Sequence, residues 1–226
     1  MESRIPDAAP PAQRWSELFR AAAHDLSEPV RSVRGFAQLL QSRPEIQDNP
    51  ELAEFVKFIQ GGAERITAIV RGLEQYMRCA VADEKQAVTP AAELIAAALT
   101  QGGWPEDEAQ IEWEAPGSVS ISGTPARWVW LIRELVTNAV KFTRERPARI
   151  RIEAAAHQLR VIDHGIGIPA ADGERVFEPF RRLHTRSEFP GNGLGLATCR
   201  QIVQTQGGSI HVEPTPGGGT TVAVRW

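Results

Sequence analysis

Apolar residues recur every three or four positions through the first eighty residues and predict two long amphipathic helices. The first stripe consists of Trp15, Leu18, Phe19, Ala22, Leu26, Val30, Val33, Ala37 and Leu40. After "SRPEIQDNP", a second stripe consists of Leu52, Phe55, Val56, Ile59, Ala63, Ile66, Val70, Leu73 and Tyr76. The two helices form an antiparallel hairpin. Because one hairpin cannot cover its own apolar stripes, we expect two copies to form a four-helix bundle.

The pattern then changes to a mixture of strands and helices. Helices are predicted at "TPAAELIAAALTQ", "PARWVWLIRELVTNAVKFT" and "GLGLATCRQIVQTQGG". Strands are predicted at "QIEWEA", "SVSIS", "ARIRIEAAA", "HQLRVIDHG", "SIHVEP" and "TTVAVRW". The fold class is therefore α+β, with a mixed, mostly antiparallel sheet in the second domain. We expect a flexible tail over residues 1–12, the hairpin over 13–80, a linker over 81–88 and the second domain over 89–226.

Composition and charge exclude several classes of protein. The 226 residues are 42% apolar and 23% charged, and the net charge of −3 gives no reason to expect nucleic acid or an anionic membrane as the main partner. No apolar run is long enough to span a bilayer, and "MESRIPDAAPPAQRW" lacks the apolar core of a signal peptide. We therefore expect a cytoplasmic location. Cys79 and Cys199 lack metal-type spacing and are predicted to be buried thiols.

The segment "HDLSEP" lies in the first helix and contains His24, whose neutral imidazole can act as a nucleophile. With Ala22 and Leu26 taken as the core stripe, His24 lies about 200° from Ala22 on the polar surface. This position argues against a packing role but leaves both an inert and a functional histidine open. Pro29 lacks an N–H and frees the carbonyl of Asp25, which predicts a kink that can act as a hinge.

Two polar patterns in the second domain are each open to two interpretations. In "RELVTNAVKFT", the spacing of Glu134, Asn138 and Lys141 puts them on one helix face, which is either a Mg²⁺ and phosphate site or a solvated surface. In "VIDHGIGIP", Asp163 ends a strand and is followed by Gly165 and Gly167. This arrangement suits a ligand amino group beside exposed backbone, and it also suits an ordinary turn.

Glycines precede the last predicted helix, in "GNGLGLATCR". Gly191, Gly193 and Gly195 lead into its first amides, which could hold phosphates. The spacing differs from the dinucleotide-binding fingerprint and from the P-loop. The preceding "FEPFRRLHTRSEFP" is either a lid over phosphates or a surface loop. The histidines His157, His164, His184 and His211 have no mutual spacing and predict no metal site.

Taken in order, these motifs resemble the two domains of sensor histidine kinases. Their ATP-binding domain is an α/β sandwich shared with Hsp90 and gyrase. The chain resembles this domain over about residues 89–226, through an Asn-bearing helix, DxGxG after a strand, FEPF and GxGLGL. The hairpin with "HDLSEP" resembles their dimerisation and phosphotransfer domain. "HDLSEPVR", "FEPFRRLH" and "FPGNGLGLA" are most similar to the phytochrome-type branch.

The resemblance implies a role for each candidate residue. In the hairpin it makes His24 the phosphoacceptor and Asp25 its acid/base partner. In the ATP-binding domain it makes Asn138 the ligand of a Mg²⁺ ion that bridges the ATP phosphates. The supporting residues on the same helix would be Glu134 and Lys141.

The resemblance also assigns the adenine and phosphate contacts. Asp163 would bind the adenine amino group, assisted by Gly165 and Gly167. Thr220 would line the adenine pocket, and Arg182 would reach the γ-phosphate. The phosphate edge of the lid would consist of Gly191, Gly193 and Gly195.

The resemblance implies a homodimeric protein histidine kinase that phosphorylates His24 from ATP and passes the phosphoryl group to an aspartate of a response regulator. Two positions depart from the family. His164 replaces a small polar residue at the pocket edge, and Glu28 replaces the Thr or Asn found in many relatives with phosphatase activity, so weak phosphatase activity is expected. Because no sensor domain precedes Trp15, the signal is expected from an upstream domain or another protein.

Two alternatives belong to other functional classes. A phosphotransfer scaffold with an inactive ATP domain would bind no nucleotide, and intact Asn138, Asp163 and "GNGLGL" argue against it. An ATPase that uses ATP for conformational work would have no need of the "HDLSEP" hairpin. It would carry no acid-labile phosphate.

Overall fold

The chain divides into two compact units, residues 1–81 and 82–226. The structure, a computed structural model, describes residues 11–80 and 85–226, without the side chains of residues 11–20, His24 and Ala80. Most of the predicted tail, and half of the predicted linker, lie outside the described residues.

The first unit is a helical hairpin. Helix α1 covers Pro11–Gln41, a one-turn helix α2 covers Pro44–Gln47, and α3 covers Pro50–Ala80. Pro44 and Pro50 each begin a helix, where a missing N–H costs nothing. Asn49 caps α3, because its side-chain oxygen accepts hydrogen bonds from the backbone N–H groups of Glu51 and Leu52 at 3.1 and 3.3 Å. The predicted hairpin is therefore present.

Small side chains form the contact between α1 and α3 within the described part of the hairpin. The buried apolar positions are Ala23, Ala37, Val56, Ala63, Val70 and Cys79. The packed position next to His24 is therefore Ala23, which is 4% exposed, rather than the predicted Ala22 and Leu26, which are exposed. Helices that pack closely bring small residues together, so the larger side chains of the stripe lie outside this contact.

Within residues 85–226, the second unit combines two sheets, three α-helices and two short 3-10 helices, Ala170–Asp172 and Arg175–Phe177. A two-stranded antiparallel sheet pairs β1 (Ala87–Pro90) with β3 (Ser120–Gly123). A five-stranded sheet has the order β2-β4-β5-β7-β6, in which β2 and β4 are parallel and the other neighbours are antiparallel. Its strands are β2 (Ala109–Glu114), β4 (Ala148–Ala155), β5 (Gln158–Asp163), β6 (Ser209–Pro214) and β7 (Thr220–Arg225). The helices are α4 (Ala91–Gly102), α5 (Pro125–Lys141) and α6 (Gly195–Thr205).

One face of the five-stranded sheet packs against the helices, and the other faces solvent. Burial alternates along β4, as expected for a sheet covered on one side. In α5, Trp128, Leu131, Leu135 and Ala139 recur with the helical period and are all buried, while Phe142, on the same face just after the helix, is half-buried. The outer face carries paired charges, including Arg151 with Glu153 at 3.1 Å. The prediction of an α/β sandwich with a mostly antiparallel sheet is confirmed.

The start of the second unit differs from the prediction. Thr89 and Pro90 belong to β1, which begins inside the predicted linker, and α4 begins only at Ala91. Thr-Pro is a helix-start signal, but here pairing with Ile121 and Ser120 extends the backbone. Both cysteines are buried, as predicted. Across the described ranges, we find no helix with both the length and the apolar character needed to cross a bilayer.

Candidate functional site

A pocket in the second unit is formed by α5, the end of β5, the start of α6 and the segment before α6. It brings together most of the residues that the sequence nominated there, which are Glu134, Asn138, Lys141, Asp163, Gly167, Arg182, Gly191, Gly193, Gly195 and Thr220. These residues span 87 positions of the sequence (134 to 220), so the fold assembles the site from separate segments.

Helix α5 contributes a polar ladder of Glu134, Asn138 and Lys141. The amide nitrogen of Asn138 lies 3.5 Å from Oε1 of Glu134, and the oxygen of the same amide is the atom that can bind a cation. Burial raises the pKa of Glu134, an effect that the nearby Lys141 opposes. Burial also lowers the pKa of Lys141, and the positive charge of Arg182 adds to that effect. An anion bound here would relieve the repulsion between these two cations.

Asp163 ends β5, is buried and lines the same pocket. Its Oδ1 accepts hydrogen bonds from the backbone N–H of Gly165 at 2.8 Å and of Thr220 at 2.9 Å. Burial raises the pKa of Asp163, while these two hydrogen bonds lower it. Since both backbone donors use Oδ1, Oδ2 can accept an N–H from a ligand. Gly165 thus donates a hydrogen bond to Asp163 but does not line the pocket. His164, the residue between them, is exposed.

The glycines before α6 let the backbone approach the polar ladder. Gly191 has φ of 145°, and a Cβ atom there would lie 2.9 Å from Nζ of Lys141. A Cβ atom on Gly195 would overlap Oε1 of Glu134, so a larger residue at this position would displace the carboxylate from the start of α6. The N-terminal amides of α6 therefore open onto the same pocket as Lys141, which suits a phosphate group.

Sequence reasoning missed the apolar and aromatic part of the pocket. Its walls include Leu135, Val161, Ile168, Val176, Leu196, Val222, Phe142, His184 and Phe189. The rings of Phe142 and Phe189 are 4.9 Å apart, and that of His184 is 5.3 Å from Phe189. Because Phe142 directly follows Lys141 in the sequence, the sequence could have indicated that an aromatic ring lies near this polar face. The partners of Phe142 could not be inferred, because they lie more than 40 positions later in the chain.

The guanidinium of Arg182 donates hydrogen bonds to backbone carbonyls of its own segment. Nη1 donates to the carbonyl of Gly191, and Nη2 donates to the carbonyls of Phe189 and His184. The neighbouring Arg181 also lines the pocket, and its buried Nε has no hydrogen-bond partner among the described residues. The γ-phosphate role of Arg182 stays a prediction.

The two remaining candidates, His24 and Asp25, belong to α1 in the first unit. Asp25 is exposed, whereas the side chain of His24 lies outside the described residues. Glu28 is exposed one turn further along the helix.

A nucleotide with its magnesium ion fits the pocket chemically. Apolar walls suit a base, Asp163 suits an amino group, and Lys141 with the α6 amides suits phosphates. The described residues contain no group of three or more His, Cys, Asp or Glu side chains that could hold a metal ion. Asn138 and Glu134 suit an ion that arrives with the phosphates, as Mg²⁺ commonly does.

Comparisons with known proteins give matches for both units. Residues 14–78 match the His kinase A (phospho-acceptor) domain, and residues 123–226 match the family described as histidine kinase-, DNA gyrase B-, and HSP90-like ATPase. The chain is 29% identical over 204 residues to the phytochrome-like protein Cph1 of Synechocystis sp.. It is 32% identical over 207 residues to cyanobacterial phytochrome A of Nostoc sp..

Both alignments cover 88% of this chain but only 27% of the relative, so the chain spans about a quarter of these proteins. The solved structure of full-length ShkA in complex with AMPPNP matches 92% of this chain and 45% of that chain. The TM-score is 0.61 and the identity 23%, which shows a shared fold.

Proposed function

We propose that this chain, which belongs to the histidine kinases and has a phospho-acceptor domain before an ATP-binding domain, transfers the γ-phosphoryl group of ATP to His24 and then to an aspartate of a response regulator. The observation that carries the proposal is the pocket itself. It joins Asp163, the α5 ladder and the start of α6, in one chain with a hairpin that bears His24.

In the proposed reaction, a neutral ring nitrogen of His24 attacks the γ-phosphorus in line. A nitrogen–phosphorus bond forms while the bond from phosphorus to the β,γ-bridging oxygen breaks, and ADP leaves. Asp25 holds the proton on the other ring nitrogen. Lys141 and the α6 amides bind the phosphates. Mg²⁺, when bound with ATP near Asn138 and Glu134, neutralises charge on the phosphate oxygens.

Incubation of the chain with ATP labelled at the γ-phosphate and Mg²⁺ tests this function. A phosphohistidine is labile in acid and stable in base. Acid-labile label on the protein is therefore the expected result. Nucleotide binding without label would indicate an inactive kinase domain, and ATP hydrolysis without label would indicate an ATPase. Either of the last two results would overturn the proposal.

We further propose that the kinase acts in the cytoplasm as a homodimer through the hairpin. Large apolar side chains on both helices are exposed in the single chain, namely Leu26, Val33, Phe36, Leu39, Leu40, Leu52, Phe55, Phe58, Ile59 and Ile66. An apolar surface of this extent is unfavourable in water, and a second hairpin would cover it. The response regulator is proposed to dock on the hairpin near His24.

Asp163 is expected to make the protein select ATP over GTP by roughly 100-fold. Adenine presents an amino group to Oδ2, whereas guanine presents a carbonyl oxygen, which would leave two acceptors facing each other. Nucleotide titrations of the wild type measure this ratio. Equal affinity for ATP and GTP would refute this role of Asp163.

The substitution Asp163→Asn provides the matched variant. Its side-chain oxygen can still accept the N–H groups of Gly165 and Thr220, which orients the amide nitrogen toward the ligand. An N–H donor suits guanine, so the preference should shift toward GTP. An equal loss of affinity for ATP and for GTP would show instead that Asp163 only stabilises the turn.

Glu28 is expected to limit dephosphorylation of the response regulator. It lies one helical turn from His24 on the same side of α1 and is exposed. An ionised carboxylate only accepts hydrogen bonds and repels a phosphoryl group, so it holds an attacking water poorly. Glu28→Asn should raise the rate by roughly tenfold, because an amide can position that water.

The measurement uses the cognate regulator, phosphorylated by other means, and follows the loss of its phosphate. Glu54→Asn is the control, since Glu54 is exposed on α3 and should give no gain. Rapid dephosphorylation by the wild type that is unchanged in Glu28→Ala would contradict the role of Glu28.

A further inference from the structure

Residues 182–191, which we call the lid, fold around the side chain of Arg182. Nη2 of Arg182 donates to the carbonyl of Phe189 at 2.8 Å and to that of His184 at 3.3 Å, and Nη1 donates to the carbonyl of Gly191. The three carbonyls come from the beginning and the end of the segment. One guanidinium therefore closes the lid into a turn.

The lid is also anchored to the end of α5. Phe189 is only 8% exposed and packs against Phe142, while Gly191 lies beside the ammonium of Lys141. A second internal link involves Glu188, whose carboxylate accepts hydrogen bonds from the backbone and hydroxyl of Thr185 at 3.0 and 2.7 Å. The shape of the lid thus sets where one wall of the pocket lies.

Arginine is suited to this task in a way that lysine is not. A guanidinium presents several N–H donors in a rigid plane, so it can bridge carbonyls that lie in different directions. A lysine ammonium carries the same charge on a flexible stem and cannot reproduce that fork. Charge and lid geometry can therefore be separated by one substitution.

We propose that Arg182 is a positioning residue that holds the lid in the form that receives a nucleotide, an inference that rests on the proposed ATP binding. Through the lid, Arg182 contributes to the binding of every nucleotide, with or without a γ-phosphate. A direct contact with the γ-phosphate would instead contribute to ATP alone. The two roles give opposite results with ADP.

The test compares the dissociation constants of ATP and ADP, with Mg²⁺, for the full wild-type chain, Arg182→Lys and Arg182→Ala. Both variants should bind both nucleotides about tenfold more weakly, since neither can hold the three carbonyls. Arg175→Lys is the control, because Arg175 binds Asp172 and does not line the pocket. Unchanged ADP binding, or a lysine variant that behaves as the wild type, would overturn the proposal.

A second readout needs no nucleotide. Arg186 is exposed in the middle of the lid, so trypsin cleavage after Arg186 reports how often the lid opens. Cleavage at this bond, followed by mass spectrometry, should be faster in both Arg182 variants than in the wild type. Equal cleavage rates would overturn the proposal. If the wild type bound no nucleotide, the proposed function would fail, while this measurement would still show whether Arg182 holds the shape of the lid.

Discussion

His24→Gln should abolish phosphorylation of the chain and leave nucleotide binding unchanged. Glutamine has a similar length and polarity but no nucleophilic ring nitrogen, so no phosphoryl acceptor remains. The nucleotide pocket is made of residues from Glu134 onward in the second unit, so it does not depend on His24. Acid-labile label from γ-labelled ATP and a titration with ADP measure the two properties separately.

His211→Gln is the matched control for this experiment. His211 lies on β6, outside the pocket lining, and its ring nitrogen is 2.8 Å from Glu213. This variant should retain full labelling. Acid-labile label that persists in His24→Gln would show that another residue is the acceptor. The hairpin should remain folded, because glutamine has a high helix propensity and position 24 lies within the continuous helix α1.

Asn138→Ala should reduce autophosphorylation by roughly 100-fold or more, while the protein stays folded. The amide oxygen of Asn138 is the proposed ligand for the Mg²⁺ ion that accompanies ATP. Alanine has the highest helix propensity, so α5 should persist. The initial rate of labelling at saturating ATP and Mg²⁺ and the thermal unfolding midpoint measure the two effects.

The adjacent substitution Thr137→Ala controls for the change of helix surface. Thr137 is exposed, does not line the pocket, and its hydroxyl donates to the Arg133 carbonyl at 2.8 Å within α5. A more specific readout is the ratio of ADP affinities with and without Mg²⁺. This ratio should fall in Asn138→Ala and stay unchanged in Thr137→Ala. A normal labelling rate in Asn138→Ala would contradict the proposed metal role.

The elements with strong local patterns could be predicted from the sequence. In α5, apolar and polar residues alternate with the helical period, and the predicted buried face and polar ladder are both present. The strands β4 and β5 likewise follow from period-two alternation. Strand β1 was missed, because Thr89 and Pro90 carry a helix-start signal and only the pairing with β3 makes them extended.

The sequence by itself determined which residue types stand at each position and which helix face or strand end carries them. Those features depend on neighbours within a few positions, so the polar ladder of α5 and the strand-end Asp163 were predictable. Tertiary structure alone decided which of these segments meet. The carboxylate of Asp163 accepts an N–H from Thr220, 57 positions away, and Phe189 packs on Phe142. Hydrogen bonds and aromatic contacts depend on distance in space, which a linear pattern does not contain.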